Sequence, residues 1–487
     1  MSITESAQQS TGKPGVELRE RILRFALPAI CIVIGVGVGL FSTLINPLIL
    51  LAAVPVFAVG LWSLRSDERA LWLLIAIIGL LPRFAAPVKF VLTPTFLDLA
   101  IVVVLVAWAV RISKRPVPFR EMPIALPVLG LISVAIVTFV IGLPNGALTP
   151  LIMRRFAELL LSLLMVFVLV ALIKDFERLK RATCIFFVVG AIGALIGLVL
   201  YALPDDLAIR LLSALRPFGY PTGPDVLRYI RDDPALMQRA TGLWIDPNAY
   251  GGYLLICGAF LLPQLFTSKP VLPRLAVFAA LGLVGLALVF TISRGAMLGL
   301  LIVGTLLGIL RYRRLLVLIA VTVVLILVLP QTRELVKHFA EGFAVQDLAS
   351  QMRLGEYKDA FRLIARYPLL GVGFADTPDV DLYIGVSNMY LLIAQQMGLI
   401  GLVAFSTIVA ALFGGAMRAR QAIWADEQRS AIWLGAYAAI LGALISGIFD
   451  HYFFNIDFHN SVMLLWLVIA FAIASQLTKT NEIAARI

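Results

Sequence analysis

Apolar runs about as long as a membrane helix follow one another along almost the whole chain, with polar stretches between them. A bilayer core about 30 Å thick is crossed by roughly 20 apolar residues in helical form. Such runs predict helices at 22–42, 47–64, 71–81, 96–110, 123–141, 157–173, 182–203, 249–266, 275–292, 296–310, 315–330, 389–415, 431–449 and 461–477. The expected fold is therefore an all-α polytopic membrane bundle of about fourteen spans, 12–14 being the range. The run 71–81 is short and reads either as a longer span or as a re-entrant segment. Residues 1–18 are polar, and the run at 22–42 is too long for a signal-peptide core and lacks a small-residue cleavage site. It is expected to stay as the first helix.

Two polar stretches are much longer than the rest, at 204–248 and 331–388. The second carries Arg353-Leu-Gly-Glu356-Tyr-Lys-Asp-Ala-Phe-Arg362-Leu-Ile-Ala-Arg366, with Leu354, Tyr357, Phe361 and Ile364 at helical spacing. It predicts an amphipathic helix ended by Pro368, followed by a flexible Gly371-Val-Gly373 turn. No Gly/Ser linker or repeat divides the chain. The expected organisation is a cytoplasmic segment 1–21, one membrane domain 22–477 and a cytoplasmic tail 478–487.

Basic residues set the orientation. Arg65/Arg69, Arg111/Lys114/Arg115/Arg120, Lys174/Arg178/Lys180/Arg181, Lys269/Arg274, Arg311/Arg313/Arg314 and Arg418/Arg420/Arg429 all fall in alternate loops. Such loops are cytoplasmic by the positive-inside rule, and long loops carry little weight in it. Both termini are then cytoplasmic, and 204–248 and 331–388 face outward. Composition agrees. Of 487 residues, 61% are hydrophobic and only 14% charged, with a mean hydropathy of +0.98, far from the roughly 25% charge of soluble domains. A soluble enzyme, a disordered chain and a disulfide-stapled secreted domain are excluded. The net charge of +11 reflects topology rather than a nucleic-acid partner. Cys31, Cys184 and Cys257 lie inside apolar runs and read as small hydrophobes.

Polar residues beside the outward ends of spans carry the candidate chemistry. Asp246-Pro247-Asn248 opens a span, with Asn248 placed to cap it, Pro247 to set the turn and Arg239 at its mouth. Thr291-Ile-Ser293-Arg294-Gly295-Ala296 leaves almost no turn between two spans, so Arg294 lies at or just under the membrane surface. A guanidinium there is costly unless it meets a cavity, a partner or headgroups. Ser293 and Gly295 would let a phosphate approach the helix N-terminus closely. Asp450-His451 sits among aromatics ahead of the last span and reads as a proton-handling or a structural pair. His451 and His459 are eight apart, and no HxxxH, HExxH, Walker A or G-x-S-x-G pattern exists. No metal or cofactor is expected. The outward arginines point to an anionic substrate, a phosphate or diphosphate on a lipid.

Taken in order, R-x-T-G-x-x-x-D-P-N (Arg239 to Asn248), S-R-G-A (Ser293 to Ala296), Tyr367-Pro-Leu-Leu-Gly-Val-Gly373, Ser387-Asn-Met-Tyr-Leu and Gly398-Leu-Ile-Gly-Leu resemble the O-antigen ligase / Wzy-type polysaccharide polymerase superfamily. The resemblance covers about 239–415. It implies a metal-independent, inverting glycosyltransferase of the bacterial inner membrane. Such enzymes pass a glycan from an undecaprenyl-diphosphate carrier to a hydroxyl of lipid A-core, of another carrier-linked glycan or of a protein, and other polysaccharide assembly proteins are expected alongside. It assigns the diphosphate to Arg239 and Arg294, with Arg353 third, and Asp246, Asn248, Ser293 and Asn388 in support. One position departs. The family's usual His before Asn388 is Ser387 here, and a serine needs help to act as a base. His451, with Asp450 to orient it, is the first substitute, ahead of His338, Glu356 and Asp376. A transporter or flippase of a lipid-linked or anionic solute, and a non-catalytic assembly partner, are the rival readings.

Overall fold

The computed structural model describes residues 57–86, 93–110, 116–328, 333–344, 348–377 and 385–478. The expected span at 22–42, most of the one at 47–64, and Cys31 lie outside the described residues, as does the tail beyond 478. Contacts separate Met1–Trp62 from Ser63–Ile487, and the second unit is the one described below.

Its helices follow the hydropathy pattern. They are α1 (Asp67–Leu80), α2 (Phe96–Ala109), α3 (Ala125–Gly142), α4 (Pro150–Leu172), α5 (Phe176–Ala202), α6 (Asp205–Ser213), α7 (Pro247–Leu261), α8 (Arg274–Thr291), α9 (Arg294–Leu310), α10 (Arg313–Val328), α11 (Arg333–Phe343), α12 (Leu348–Arg366), α13 (Met389–Trp424), α14 (Glu427–Ser446) and α15 (His459–Leu477). The only sheet among the described residues is a hairpin, β1 (Arg228–Tyr229) against β2 (Gln238–Arg239). The chain is a multi-pass helical membrane protein. Seven of the described helices, among them α3, α4, α5, α8, α13, α14 and α15, are long and apolar enough to cross a membrane. The others that coincide with expected spans, α1, α2, α7, α9 and α10, have 14 to 17 residues. At 1.5 Å per residue that is about 21–26 Å, short of the bilayer core.

Polar contacts define two ends. At the basic end Arg178 pairs with Asp67 at 3.2 Å, Arg181 with Glu68, and Ser268 N–H donates to Glu427. At the loop end Ala85 bridges Thr95, Asn145 donates to Val372 O at 2.9 Å, and Asn388 donates to Ile448 O at 2.9 Å. The flanks are apolar and open: Leu126, Leu275, Ile309 and Val324 are exposed, as lipid-facing positions should be. At the centre, α15 and α14 are buried nearly all round, which marks helices enclosed by other helices. In α7 every residue but Asn248 is buried.

The loop end is built, not loose. The expected amphipathic helix exists as α12, but its inner face is turned by a position from the expected one. Ala360 and Leu363 are buried while Leu354 and Phe361 are exposed. Polar anchoring decides this: Glu356 accepts the Ser387 N–H at 2.8 Å, and Tyr357 donates to the Ile448 and Ser387 carbonyls. The Gly371–Gly373 segment, expected as a flexible turn, is pinned. Helix α13 breaks at Gly398 (φ 65°), and the freed backbone groups bond to this segment. Val372 N–H donates to Gln395 O and Gly373 N–H to Gln396 O, while Leu399 N–H donates to Pro368 O at 2.7 Å.

Candidate functional site

A cavity of about 130 Å³ opens at the loop end. It is lined by Arg231, Arg239, Asn248, Ser293, Arg294, Gly295, Arg353 and Asp450, with Ile230, Ile292, Ser446 and Phe449 between them. The sequence-predicted arginines Arg239, Arg294 and Arg353 therefore share one hollow, although they come from the hairpin, α9 and α12. Four arginines and one carboxylate line it, and with Glu341 paired to Arg231 the cavity keeps a cationic excess.

Arg239 closes strand β2. Its Nε donates to Thr291 O at 2.9 Å, at the C-terminus of α8 where a cation is favoured, and its Nη2 to Asn248 Oδ1 at 2.6 Å. That uses two of five donors. Burial holds its pKa down to about 10, the neighbouring Arg353 and Arg294 push the same way, and Asp246 and Asp450 oppose; it remains a cation at neutral pH. Asn248 does not cap α7 as expected. Asp246 does, accepting the Asn248 and Ala249 N–H groups at 2.8 Å. Because Pro247 already occupies the first helical position, Asn248 falls one residue inside the helix and is left to hold Arg239.

Arg294 opens α9 directly after α8. The connection needs Ile292 at φ 55°, a left-handed conformation rare for a β-branched residue. Ser293 makes no side-chain cap bond, so the first N–H groups of α9 are uncapped by it beside the arginines, an arrangement that suits an anion. The guanidinium of Arg294 lies against Gly342 of α11 and donates to Ser350 Oγ at 3.5 Å. Arg231, at the hairpin turn, pairs with Glu341 at 3.1 Å. Both contacts tie α11 to arginines of the cavity.

Asp450 lines the cavity and His451 does not. The Asp450 side chain is 14% exposed. Burial raises its pKa, against the nearby His451 and Arg353. Its Oδ1 accepts the His451 backbone N–H at 2.8 Å, and the His451 Nδ1 stands 3.7 Å away. The ring packs on Phe458 and reaches Asn455 at 3.4 Å. Asn388 caps α13 through the Tyr390 and Leu391 N–H groups and holds Ile448 O, fixing the loop that carries Asp450. Ser387 offers its backbone to Glu356 and Tyr357. Asp376 is exposed and accepts the Thr377 N–H.

Residues 277–406, from α8 to the middle of α13, match the family described as O-Antigen ligase. That segment, about a quarter of the chain, is similar to an O-antigen ligase domain. The match indicates the glycosyl-transferring ligase and polymerase class in general terms. No curated protein matches the chain. The ligase domain supplies Arg294, Arg353 and Asn388, while Arg239, Asn248 and Asp450 come from outside it.

Flanking the ligase domain, the loop end holds a second cavity of about 200 Å³, lined by residues that include Arg83, Arg154, Arg155, Glu158, Trp244, Asp457 and His459. Sequence reasoning missed it, and missed Arg231. Asp98, Glu158 and His459 bring a ligand atom each within 4.8 Å of one another, a spacing a metal could use. Arg154 already binds both carboxylates, at 2.9 Å from Asp98 and 2.6 Å from Glu158. A guanidinium bound to both acids leaves the donor set poorly suited to a cation.

Proposed function

We propose that the protein transfers or polymerises glycans carried on undecaprenyl diphosphate, at the outer face of a bacterial inner membrane, with polymerisation ahead of ligation. The observation that carries this is the single cavity in which Arg231, Arg239, Arg294 and Arg353 surround the N-terminus of α9, next to and within the ligase domain. Arginine holds phosphate oxygens bidentately and keeps its charge. A diphosphate there would leave readily, because the charge it gains on departure is met by donors already in place.

The step is a single displacement. The acceptor oxygen bonds to the anomeric carbon as the carbon–oxygen bond to the diphosphate breaks, the electron pair leaves with the phosphate, and configuration inverts. The hydroxyl proton passes to Asp450, which lines the cavity, in place of His451, the base expected from the sequence, which stands beside it as the second proton carrier. No metal is required. The acceptor is a second carrier-linked glycan or lipid A-core, with both chain termini in the cytoplasm and the loop end outside. The domain plan is a membrane domain from 22 to 477 between short cytoplasmic ends.

Surface glycan from cells with and without the chain, compared by size on a gel, tests the reading. Single-unit glycan in its absence marks a polymerase; loss of surface glycan with long carrier-linked chains marks a ligase. Arg294→Ala, at normal protein level, should reproduce the deletion. Wild-type glycan from that variant would remove the leaving-group assignment.

A further inference from the structure

The second cavity differs from the first in charge, and the difference names its ligand. Arg83, Arg154 and Arg155 face Glu158 and Asp457 across it, and Asp98 backs Arg154. Arg155 is paired with Asp457 at 2.5 Å. Counting each arginine's paired acid, the charges balance here, whereas the first cavity keeps a cationic excess even with Glu341 set against Arg231. A balanced site gains little from an anion and suits a neutral, hydrogen-bonding ligand.

Several of its polar groups make no hydrogen bond among the described residues. These are Asn460 Nδ2, Trp244 Nε1 and both ring nitrogens of His459, although His459 Nδ1 stands 3.7 Å from Glu158 and 3.8 Å from Asp98; His459 and Asn460 are 9% and 8% exposed. Buried polar groups without partners cost free energy and call for a ligand or water. Arg83 makes no ion pair or hydrogen bond among the described residues, and its guanidinium lies 4.9 Å from the centre of the Phe458 ring. The lining mixes N–H donors, carboxylate acceptors and the aromatic faces of Trp244 and Phe458. That is the chemistry of a sugar ring, whose hydroxyls donate and accept while its C–H face packs on an aromatic side chain. The volume lies below the roughly 300–1,000 Å³ of sites for drug-sized ligands, so the cavity takes one ring and not an oligosaccharide.

The two cavities are neighbours. Asn248 lines the first and Trp244 and Ala249 the second, so the cap of α7 is their shared wall. Asp246 within it acts on Arg83 on one side and on Arg239 and Asp450 on the other. The loop 447–458 likewise gives Asp450 to one and Asp457 and Phe458 to the other.

We propose that this second cavity is a subsite for one neutral sugar ring of the glycan chain, set beside the diphosphate site by the α7 cap. The inference rests on the glycan-transfer reading for its biological sense, and on its own residues for the binding.

Saturation-transfer NMR on the full chain in lipid nanodiscs tests it. The probes are methyl glucoside, galactoside, mannoside, rhamnoside and N-acetylglucosaminide, with methyl glucuronide and inorganic pyrophosphate as charged controls. At least one neutral glycoside should show transfer. Arg83→Gln and Asn460→Ala, which break no hydrogen bond described in the fold, should each weaken it about tenfold, the loss of one buried hydrogen bond or so. Arg294→Ala should leave it unchanged and abolish pyrophosphate binding instead. Silence from every neutral glycoside, binding of glucuronide alone, or a neutral signal indifferent to both Arg83→Gln and Asn460→Ala overturns the subsite. Pyrophosphate binding indifferent to Arg294→Ala overturns the diphosphate reading and leaves the subsite standing. Displacement of the glycoside by undecaprenyl-diphosphate-linked N-acetylglucosamine assigns the ring to the donor, and its persistence assigns it to the acceptor.

Discussion

In the proposed reaction the Arg294 guanidinium at the start of α9 and the Asp450 carboxylate, both lining the hollow, divide the chemistry between them. Arg294→Ala should cut glycan transfer by about 10²–10³-fold, the usual loss when a preorganised donor to a developing charge is removed, while protein level and thermal stability stay near wild type. Arg294→Lys should recover only part of it, since a point charge cannot grip bidentately; rates on purified enzyme check both. Asp450 has its pKa raised by burial. As the proposed base it works ionised, so the rate should climb with pH through a midpoint above that of an ordinary aspartate, and Asp450→Asn should flatten that rise. Stability runs the other way. A raised pKa means that the folded state binds more protons than the unfolded one between the two values, so ionising Asp450 costs stability as pH rises through that window. Asp450→Asn should therefore melt higher than wild type above the window while losing activity, as read in a thermal-shift series. The arginines were legible in the sequence because charge is rare and costly in so apolar a chain. Asn248 was misread as the cap because one residue decides where α7 begins, and Arg231 looked like any loop arginine until the hairpin set it, still exposed, at the rim of the cavity beside Glu341.

At the level of elements, the break in α13 sets the loop end. Gly398 holds φ 65° and packs against the carbonyl of Leu369. Gly398→Ala should cost about 1–3 kcal/mol in backbone strain and lower the melting temperature and activity together, because α12 and Arg353 are hung from that joint. Asn388→Ala should cost about 1 kcal/mol as a lost helix cap, with a larger fall in activity than in stability since Asn388 also holds the Asp450 loop. The helices themselves were readable from hydropathy, because lipid admits few other arrangements. The inner face of α12 was not. Its polar residues Glu356 and Tyr357 point inward to backbone groups, and a rule that buries Leu354 and Phe361 has no means of seeing those groups. The second cavity escaped for a similar reason: Arg154 and Glu158 on α4, and His459 on α15, each look like ordinary residues at a helix end until packing gathers them.

For the whole molecule, alternation of the spans puts the basic loops at one end and both cavities at the other. A cysteine replacing exposed Lys358 should react with an impermeant maleimide in intact spheroplasts, and one replacing exposed Arg418 only after permeabilisation; the reverse pattern would invert the orientation. The central claim is that the cationic cavity grips a diphosphate. Native mass spectrometry of the purified chain with undecaprenyl diphosphate and undecaprenyl monophosphate tests it most directly. The account predicts a bound diphosphate, outcompeting the monophosphate, that is lost stepwise in Arg239→Ala, Arg294→Ala and Arg353→Ala. Equal binding of both lipids, undiminished in all three variants, would contradict it.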